Sequence, residues 1–574
     1  MRLIDLKIKN YRSFGPQEVT ILFPTNHCVL IGKNNVGKSN ILSALDMLFG
    51  IRKPEYIKFE ENDFFDPAQP LEITGTIGLI DNNDSSTLFS IPGLTQQQKG
   101  ALSAKISNGT AKIIFSLSKI PESESNDDHI KNNLEIDLWG FTVFKKKEDT
   151  RSHLVSALLV PPVRDHKEEL SPSSWTLYGH LMKDILRSSQ NYQEIKSLLS
   201  ALNKKIQETF VNEKGVILKN AKIVACVDDI EFRLTKENDP SELLRNLEIF
   251  IKEKDKFFNI NDVGTGTQNS VIIGILELVL KNRYSSLKIF GIEEPEAFIH
   301  PHGQRYIGLL IKSVSSTQNI QVITSTHSTS LVTSFSPNEI IKVHKNDVGS
   351  TEIKQDRTLT STDFKKFINP ANAEMLFSDR VLLVEGETER VLFSTLDKYT
   401  ILRPQNQKSL NCNFDRINLS IITLGSSQSI CNYIRLARCF DIKYSAILDN
   451  DFVDSNNCSV LCRELGVTYQ RIDDKKLISD FKTKNIIILN KGEIEDYIPD
   501  SDIAIISGKR VGDIPVIKSK HKKTSSAFGD IFNGKKKPEY AELIANHYVS
   551  TKKKSPLDDT IRKLYINDLQ NINL

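Results

Sequence analysis

Val381-Leu382-Leu383-Val384-Glu385-Gly386-Glu387-Thr388-Glu389-Arg390 is a short apolar run that ends in a carboxylate, turns at a glycine and opens a helix-forming segment carrying a second carboxylate. Read as strand, turn and helix, it sets Glu385 at the carboxyl edge of a sheet. Glu389 then lies one helical turn away, facing the same crevice. About sixty residues later a second apolar run, Tyr444-Ser445-Ala446-Ile447-Leu448, ends in Asp449-Asn450-Asp451. Alternation along a strand points residues i and i+2 the same way, so Asp449 and Asp451 are expected to aim at the edge that holds Glu385. Four hard oxygen donors gathered there suit Mg²⁺ or Mn²⁺, ions that serve phosphate-ester chemistry.

This ordered pair of motifs resembles a Toprim domain, the Rossmann-like, metal-dependent fold of topoisomerases, bacterial primases and certain nucleases. Strand-Glu-Gly and Asp-x-Asp are each common alone; their order carries the resemblance.

A second informative stretch lies near the amino end. Leu3 to Ile8 and Val19 to Phe23 read as a hairpin of strands around Asn10-Tyr11-Arg12-Ser13-Phe14-Gly15-Pro16. Cys28-Val29-Leu30-Ile31 then leads into Gly32-Lys33-Asn34-Asn35-Val36-Gly37-Lys38-Ser39 and the helix-forming run Ile41 to Phe49. This is the P-loop pattern in its strand–loop–helix context. Gly32 and Gly37 let the backbone N–H groups of the loop, Asn34 and Asn35 among them, wrap phosphates at a helix N-terminus. Lys38 neutralises β- and γ-phosphate charge and Ser39 ligates Mg²⁺, so ATP is the expected ligand.

Ile8-Lys9-Asn10-Tyr11-Arg12-Ser13-Phe14 resembles the opening of ABC ATPases of the RecF and SMC type, which implies that Arg12 lies near the nucleotide. Farther on, Asp262-Val263-Gly264-Thr265-Gly266-Thr267-Gln268-Asn269-Ser270 precedes an apolar helix, Val271 to Leu280, and then Ser286-Leu287-Lys288-Ile289-Phe290-Gly291-Ile292-Glu293-Glu294-Pro295-Glu296. The order resembles the ABC signature followed by the Walker B strand. The resemblance puts Gly264, Gly266 and Gln268 at the nucleotide, Glu293 in the place of the metal-supporting Asp, and Glu294 in that of the glutamate that polarises the attacking water. Ser325-Thr326-His327-Ser328, after the apolar strand Ile320 to Ile323, matches the switch histidine at the γ-phosphate. Two departures stand out: the signature lacks Ser-Gly-Gly, and Glu293 is longer than Asp by a methylene. Gln69 is the candidate for the family's γ-phosphate-sensing glutamine.

Leu71 to about Val160 reads as short alternating strands, broken by the polar stretch Pro121 to Asp128, and fits the antiparallel lobe of such an ATPase. From Pro161-Pro162-Val163-Arg164-Asp165 to about Phe257 the period turns helical, without the sustained heptads of a long coiled coil. The expected organisation is α/β throughout: an ABC-type P-loop ATPase in 1–165 and 258–372, a helical insertion and possible dimerisation region in 166–257, and a Toprim domain with a basic carboxyl segment in 373–574.

An ABC ATPase without long arms joined to a Toprim domain resembles the OLD (overcoming lysogenisation defect) family of nucleases, on Ile292-Glu293-Glu294-Pro295-Glu296-Ala297 and Phe377-Ser378-Asp379-Arg380-Val381-Leu382-Leu383-Val384-Glu385-Gly386-Glu387. The resemblance implies a later acidic ligand and a lysine. Gly492-Glu493-Ile494-Glu495-Asp496 supplies the first, with Glu495 preferred and Glu493 in reserve; of Lys535, Lys536 and Lys537, Lys537 before Pro-x-x-Ala best fits the family pattern. The implied mechanism is two-metal hydrolysis of DNA, with Glu385 and Asp449 on one ion and Asp451, Glu389 and Glu495 on the other. A homodimer or higher homo-oligomer is implied as well, and so is a role in defence against phages beside a partner such as a helicase or a reverse transcriptase with its nucleic acid. The alternative from another class is a RecF-like DNA-binding ATP switch whose Toprim portion does not cut. A primase would need a zinc-binding module that the chain lacks.

Composition narrows the setting. The chain has 574 residues and seven cysteines, an odd number that argues against a disulfide framework. It has no apolar run of about 18 residues and no signal-peptide core, so no membrane is expected and the location read from it is cytoplasmic. A net charge of +3 is small, so a DNA surface must come from a local patch. Lys509 to Lys554 offers one, with Lys518, Lys520, Lys522, Lys523, Lys535 to Lys537 and Lys552 to Lys554; the plainer reading of that stretch is a solvated tail.

Overall fold

The computed structural model describes residues 1–50, 60–78, 95–105, 112–119, 130–136, 139–142, 144–145, 148–149, 154–160, 177–209, 247–253, 255–264, 266–268, 287–297, 299–316, 320–355, 367–400, 414–415, 417–469 and 474–551, with isolated positions between them. The chain divides into two compact units. Met1–Leu30, Gly37–Leu331 and Asp347–Thr351 form the first; Ile31–Val36, Val332–Asn346 and Glu352–Leu574 form the second.

In the first unit, strands β1 (Arg2–Lys9), β2 (Val19–Leu22), β4 (Leu71–Gly78), β5 (Lys112–Lys119), β6 (Ile130–Ile136) and β7 (Trp139–Thr142) make a sheet of order β2-β1-β4-β5-β6-β7. Every neighbouring pair is antiparallel. The expected hairpin is β1 against β2, with Ile8 opposite Val19. Two short pairs follow, β8 (Phe144–Lys145) with β9 (Glu148–Asp149), and β11 (Phe250–Glu253) with β12 (Lys256–Asn259).

A second set of strands is parallel: β3 (His27–Ile31), β10 (Val155–Val160), β13 (Leu287–Glu293) and β14 (Ile320–Ser325), running in the order β10-β13-β14-β3. Cys28, Val29, Leu30 and Ile31 are all fully buried, as the continuous apolar run of a strand covered on both faces requires. The register places Leu30 beside Ser325 and Ser325 beside Glu293, so three loops leave the sheet together at its carboxyl edge.

Within the expected insertion, helices span Leu177–Ser188 and Tyr192–Thr209. Its last part is not helical, however: β11 and β12 occupy it, because Phe250-Ile251 and Phe257-Phe258 flank a short polar turn and suit a hairpin. The expected loop Pro121 to Asp128, the boundary Pro161 to Asp165, most of the expected helix Val271 to Leu280, and Lys552 and Lys554 lie outside the described residues.

The second unit contains β15 (Ile340–Lys345), most of β16 (Thr351–Lys354), and a parallel sheet of β17 (Arg380–Val384), β18 (Leu419–Thr423), β19 (Lys443–Leu448) and β20 (Ile486–Ile488). Its order is β18-β17-β19-β20, so the strand that ends in Glu385 is central and lies beside the strand that ends in Asp449. The helix Glu387–Thr400 follows β17 directly.

The basic segment is folded, which overturns the solvated-tail reading. Helices span Asp500–Ser507, Asp513–Lys518, Thr524–Ile531 and Lys537–Ser550. Tyr540, Ala541, Ile544, Ala545 and Tyr548 recur at helical spacing and form one core with Phe528, Ile531, Phe393, Leu382 and Val384. The lysines sit among these apolar anchors, which is why a count of charge alone reads as a tail. Among the described residues no helix is long and apolar enough to cross a membrane.

Phe528 is fully buried in that core. Phe528→Ala is expected to lower the stability of the second unit by about 3–5 kcal/mol, whereas Lys522→Ala, at an exposed position, should change it by less than about 0.5 kcal/mol. Denaturant unfolding of the two variants checks the difference.

Candidate functional site

Two centres emerge. In the first, Gly37 has φ +112°, and a Cβ there would meet Thr351 Oγ1 at 2.5 Å and Ser13 Oγ at 2.7 Å, so only glycine permits this entry into the helix Lys38–Phe49. Asn34 and Asn35 are exposed, Asn35 with φ +60°. Gly32, at φ +147°, allows the turn out of β3. Lys38 is buried, and that burial lowers its ammonium to about 8 against the opposing pull of Glu294, Glu293 and Glu296.

Ser39 Oγ donates to Glu293 Oε2 at 2.7 Å. The longer Glu293 therefore still reaches the serine that a nucleotide-bound ion would share with it. Burial pushes the Glu293 carboxyl up. Glu294 sits at φ +44°, its N–H donating to Ser325 O at 3.0 Å, and its Oε1 lies 3.9 Å from His327 Nε2. Burial, and next the charge of Lys38, lower the His327 imidazole against the pull of Glu294. Lys38, Ser39, Glu293, Glu294 and His327 are thus one cluster at the carboxyl edge of the parallel strands.

Other expected residues have different partners. Arg12 Nε donates to Asp63 Oδ1 at 2.9 Å, and Gln69 Nε2 to Asp66 Oδ2 at 2.7 Å. Gln268 is buried, and its amide donates to the carbonyls of Ile260 at 2.8 Å and Val263 at 3.1 Å. Its amide nitrogen thus braces the loop that carries Gly264 and Gly266. Glu296 was assigned no role by the sequence reading, yet it is buried and accepts three hydrogen bonds from the His327 loop.

In the second unit, Glu385 Oε1 accepts the N–H of Asp449 at 3.1 Å, tying the ends of β17 and β19 together. Glu389, buried one turn into its helix, accepts the N–H of Gly386 at 3.1 Å. Burial, reinforced by Glu385, Glu389, Glu493 and Glu495, raises the Asp449 carboxyl to about 8. Burial likewise raises Glu385 and Glu389, and brings Glu495 to about 7 despite the 2.8 Å bond from Tyr540 OH. Glu385, Glu389, Asp449 and Glu495 are therefore within reach of one another's charge.

Asp451 lies near enough to Glu385 for its charge to raise that carboxyl, but its side chain has another partner as well. The strand stops at Leu448 and a 3-10 turn spans Asn450–Phe452, so alternation does not carry through to Asp451, whose side chain is exposed. There it accepts from Lys523 Nζ at 2.8 Å, and Lys523 also lies 3.7 Å from Glu493. Glu493, the reserve ligand, accepts the N–H and Oγ of Ser525 at 2.8 and 2.9 Å. Of the three candidate lysines, Lys537 is the one whose charge acts on Glu389. Nothing in the sequence near Lys523 marked it as a partner of Asp451; only the fold brings it there.

The donor set fits a hard divalent cation in kind: buried carboxylate oxygens that repel one another and lack a buried cation. Among the described residues, no three such groups close around one point as they stand.

Residues 1–332 of the chain match the AAA ATPase domain family, and residues 376–451 match the Toprim domain of overcoming lysogenization defect protein-like proteins. The chain is 25% identical over 490 residues to Old nuclease of Escherichia phage P2, covering 79% of this chain and 78% of that protein. It is 24% identical to OLD nuclease of Thermus scotoductus, covering 78% and 81%. Endonuclease GajA of Bacillus cereus (strain VD045) is 24% identical, with 68% and 67% covered.

Because Asp449 is raised to about 8 and Glu495 to about 7, both hold protons around neutral pH that a cation must displace. Mn²⁺ affinity should therefore rise as pH increases from about 6 to 8, by up to about tenfold per unit for each proton released. Calorimetry in buffers of different ionisation enthalpy measures the release, and Asp449→Asn should diminish it. An affinity flat across that range would refute this account of the centre.

Proposed function

Because this chain belongs to the AAA ATPase domain family and carries an OLD-like Toprim domain behind it, we propose that it is a metal-dependent DNA endonuclease or nickase of the OLD type, controlled by ATP. The observation that supports this reading most directly is the gathering of Glu385, Glu389, Asp449 and Glu495 at one sheet edge, where burial, reinforced by their like charges, raises Asp449 to about 8. A module that only gripped DNA would have no use for anions that repel both one another and the phosphate backbone.

In this reading Glu385, Glu389, Asp449 and Glu495 hold Mg²⁺ or Mn²⁺, with Asp451 joining them when Lys523 lets go. Such an ion, when bound, supplies positive charge to the phosphodiester and an acidified water. Glu385 holds the Asp449 backbone, so the two carboxylates move as one. Lys537 brings its charge to meet the extra negative charge of the transition state. In the ATPase centre Lys38 holds phosphate charge, Ser39 and Glu293 hold the ion that accompanies ATP, Glu294 orients the attacking water, and His327 reports the γ-phosphate.

The chain acts as a homodimer or larger homo-oligomer in this reading, with Gly264 and Gly266 presented to a neighbouring copy's nucleotide. Its biological setting is defence against phages, beside a partner protein.

Glu385→Ala and Asp449→Ala should each lower nicking of supercoiled plasmid in Mg²⁺ or Mn²⁺ by at least about a hundredfold, since they remove both the activated water and its alignment. ATP hydrolysis by the same preparations should stay within about twofold of wild type, and Glu294→Gln should show the reverse pattern. Supercoils that persist with the wild-type protein under every condition, with and without ATP, would leave the chain as a DNA-binding ATP switch.

DNA binding in this reading uses exposed lysines. Lys518 is held by Asp500 at 2.7 Å and Lys553 by Asp502 at 3.1 Å, so neither offers its full charge to DNA. Replacing Lys520, Lys522 and Lys535 by Ala should weaken binding about equally for unrelated sequences and reduce the slope of log K against log salt by about one unit per lost contact. An unchanged slope would remove this segment from the DNA surface.

A further inference from the structure

The chain turns sharply after β13. Glu294 adopts φ +44° and donates its N–H to Ser325 O, and the turn closes with Ala297 N–H donating to Glu294 O at 3.0 Å. This turn buries the carboxylate of Glu296 beneath the loop that follows β14. One oxygen, Oε1, accepts three donors from consecutive residues of that loop: Thr326 Oγ1 at 2.5 Å, His327 N at 2.9 Å and Ser328 N at 3.2 Å. Thr326 Oγ1 in turn accepts from Ser328 N at 2.9 Å, closing the loop on itself. The second oxygen, Oε2, is buried without a hydrogen-bond partner among the described residues.

A buried carboxylate is costly unless its charge is used. Here it is used on one loop, the loop of His327, whose imidazole lies 3.9 Å from the Glu294 carboxylate. Glu294 and Glu296 leave β13 on the same turn, so a shift of either loop would change the separation of Glu294 from His327. Filling space would need no charge, and capping backbone N–H groups would not require a side chain shared with the hydrolytic turn.

We propose that Glu296 is a positioning residue for ATP hydrolysis: its Oε1 sets the register of the His327 loop against the Glu294 turn. The inference rests on the reading of Glu294 and His327 as the hydrolytic pair. Glu296 touches neither water nor phosphate in this account; it acts through His327. Three donors converging on one charged acceptor hold a loop more stiffly than any one neutral bond. Gln at this position keeps an acceptor oxygen, so it should preserve much of the register, whereas Ala removes it.

The test is steady-state ATP hydrolysis by the full chain with Glu296→Ala, Glu296→Gln, His327→Ala and the Glu296→Ala/His327→Ala double variant, with nucleotide affinity measured on each by a fluorescent ATP analogue. Glu296→Ala should lower kcat at least about tenfold while nucleotide affinity stays within about threefold, and Glu296→Gln should recover most of the rate. In the double variant Glu296→Ala should add little to the loss from His327→Ala, because residues acting as a unit are not additive. Equal losses from Glu296→Ala in the presence and absence of His327 would overturn the proposal, as would a wild-type kcat for Glu296→Ala. A wild-type rate for His327→Ala would instead sink the reading of His327 itself. Should Glu296→Ala fail to fold, Thr326→Val removes the 2.5 Å donor while keeping its shape. It should then lower kcat by about threefold or more without changing nucleotide affinity, and a wild-type kcat for that variant would overturn the proposal.

Discussion

Parallel strands buried on both faces have room for polar side chains only at their ends, and both units of this protein are built on that constraint. Leu30 and Ile289 in the first unit, and Leu383 and Leu448 in the second, are fully or almost fully buried. Several charged groups of the two centres stand at the end of such a strand or in the loop that leaves it. Glu293 ends β13, Lys38 and His327 follow β3 and β14, and Glu385 and Asp449 follow β17 and β19. Adjacent registers bring these ends level, so each sheet delivers its functional residues to one edge.

The two edges differ in how their charge is balanced. In the first, Lys38 is itself buried, and the charges of Glu294, Glu293 and Glu296 oppose the lowering that burial imposes on it. In the second, among the described residues, no buried cation stands beside the carboxylates. Lys523 reaches Asp451 and Glu493 from an exposed position, and Lys537 acts on Glu389 from another. Asp449 and Glu495 consequently keep their protons to unusually high pH. The difference in positive charge is what separates the electrostatics of the two edges.

The carboxyl-terminal helices complete that second edge. Tyr540 and Tyr548 turn inward, each donating to a buried carboxylate, Glu495 at 2.8 Å and Asp502 at 2.9 Å. The same helices display lysines on their other sides, some of them tied to Asp500, Asp502 and Asp451. Core formation and surface charge are interleaved residue by residue here.

The motifs were legible in sequence because each combines a local period with residue chemistry that local backbone geometry dictates. A strand that must turn at Gly37 into a helix starting with Lys38 is specified by neighbours, and so is Glu385-Gly386 followed by Glu389. That β17 and β19 lie side by side is seen only in the sheet order, although the sequence had already placed Glu385 and Asp449 at one edge. The sequence alone did not determine which side chains beyond the motifs would meet them. Asp451 reads as a partner of Asp449 until the strand ends at Leu448, a matter of how far β19 pairs with its neighbours. Lys523 meets Asp451 across 72 residues, and Glu296 meets the His327 loop across 31, separations at which no periodicity speaks. Those contacts are set by packing of whole elements, through the burial of residues such as Phe528 and Tyr540. Only the tertiary structure decided them.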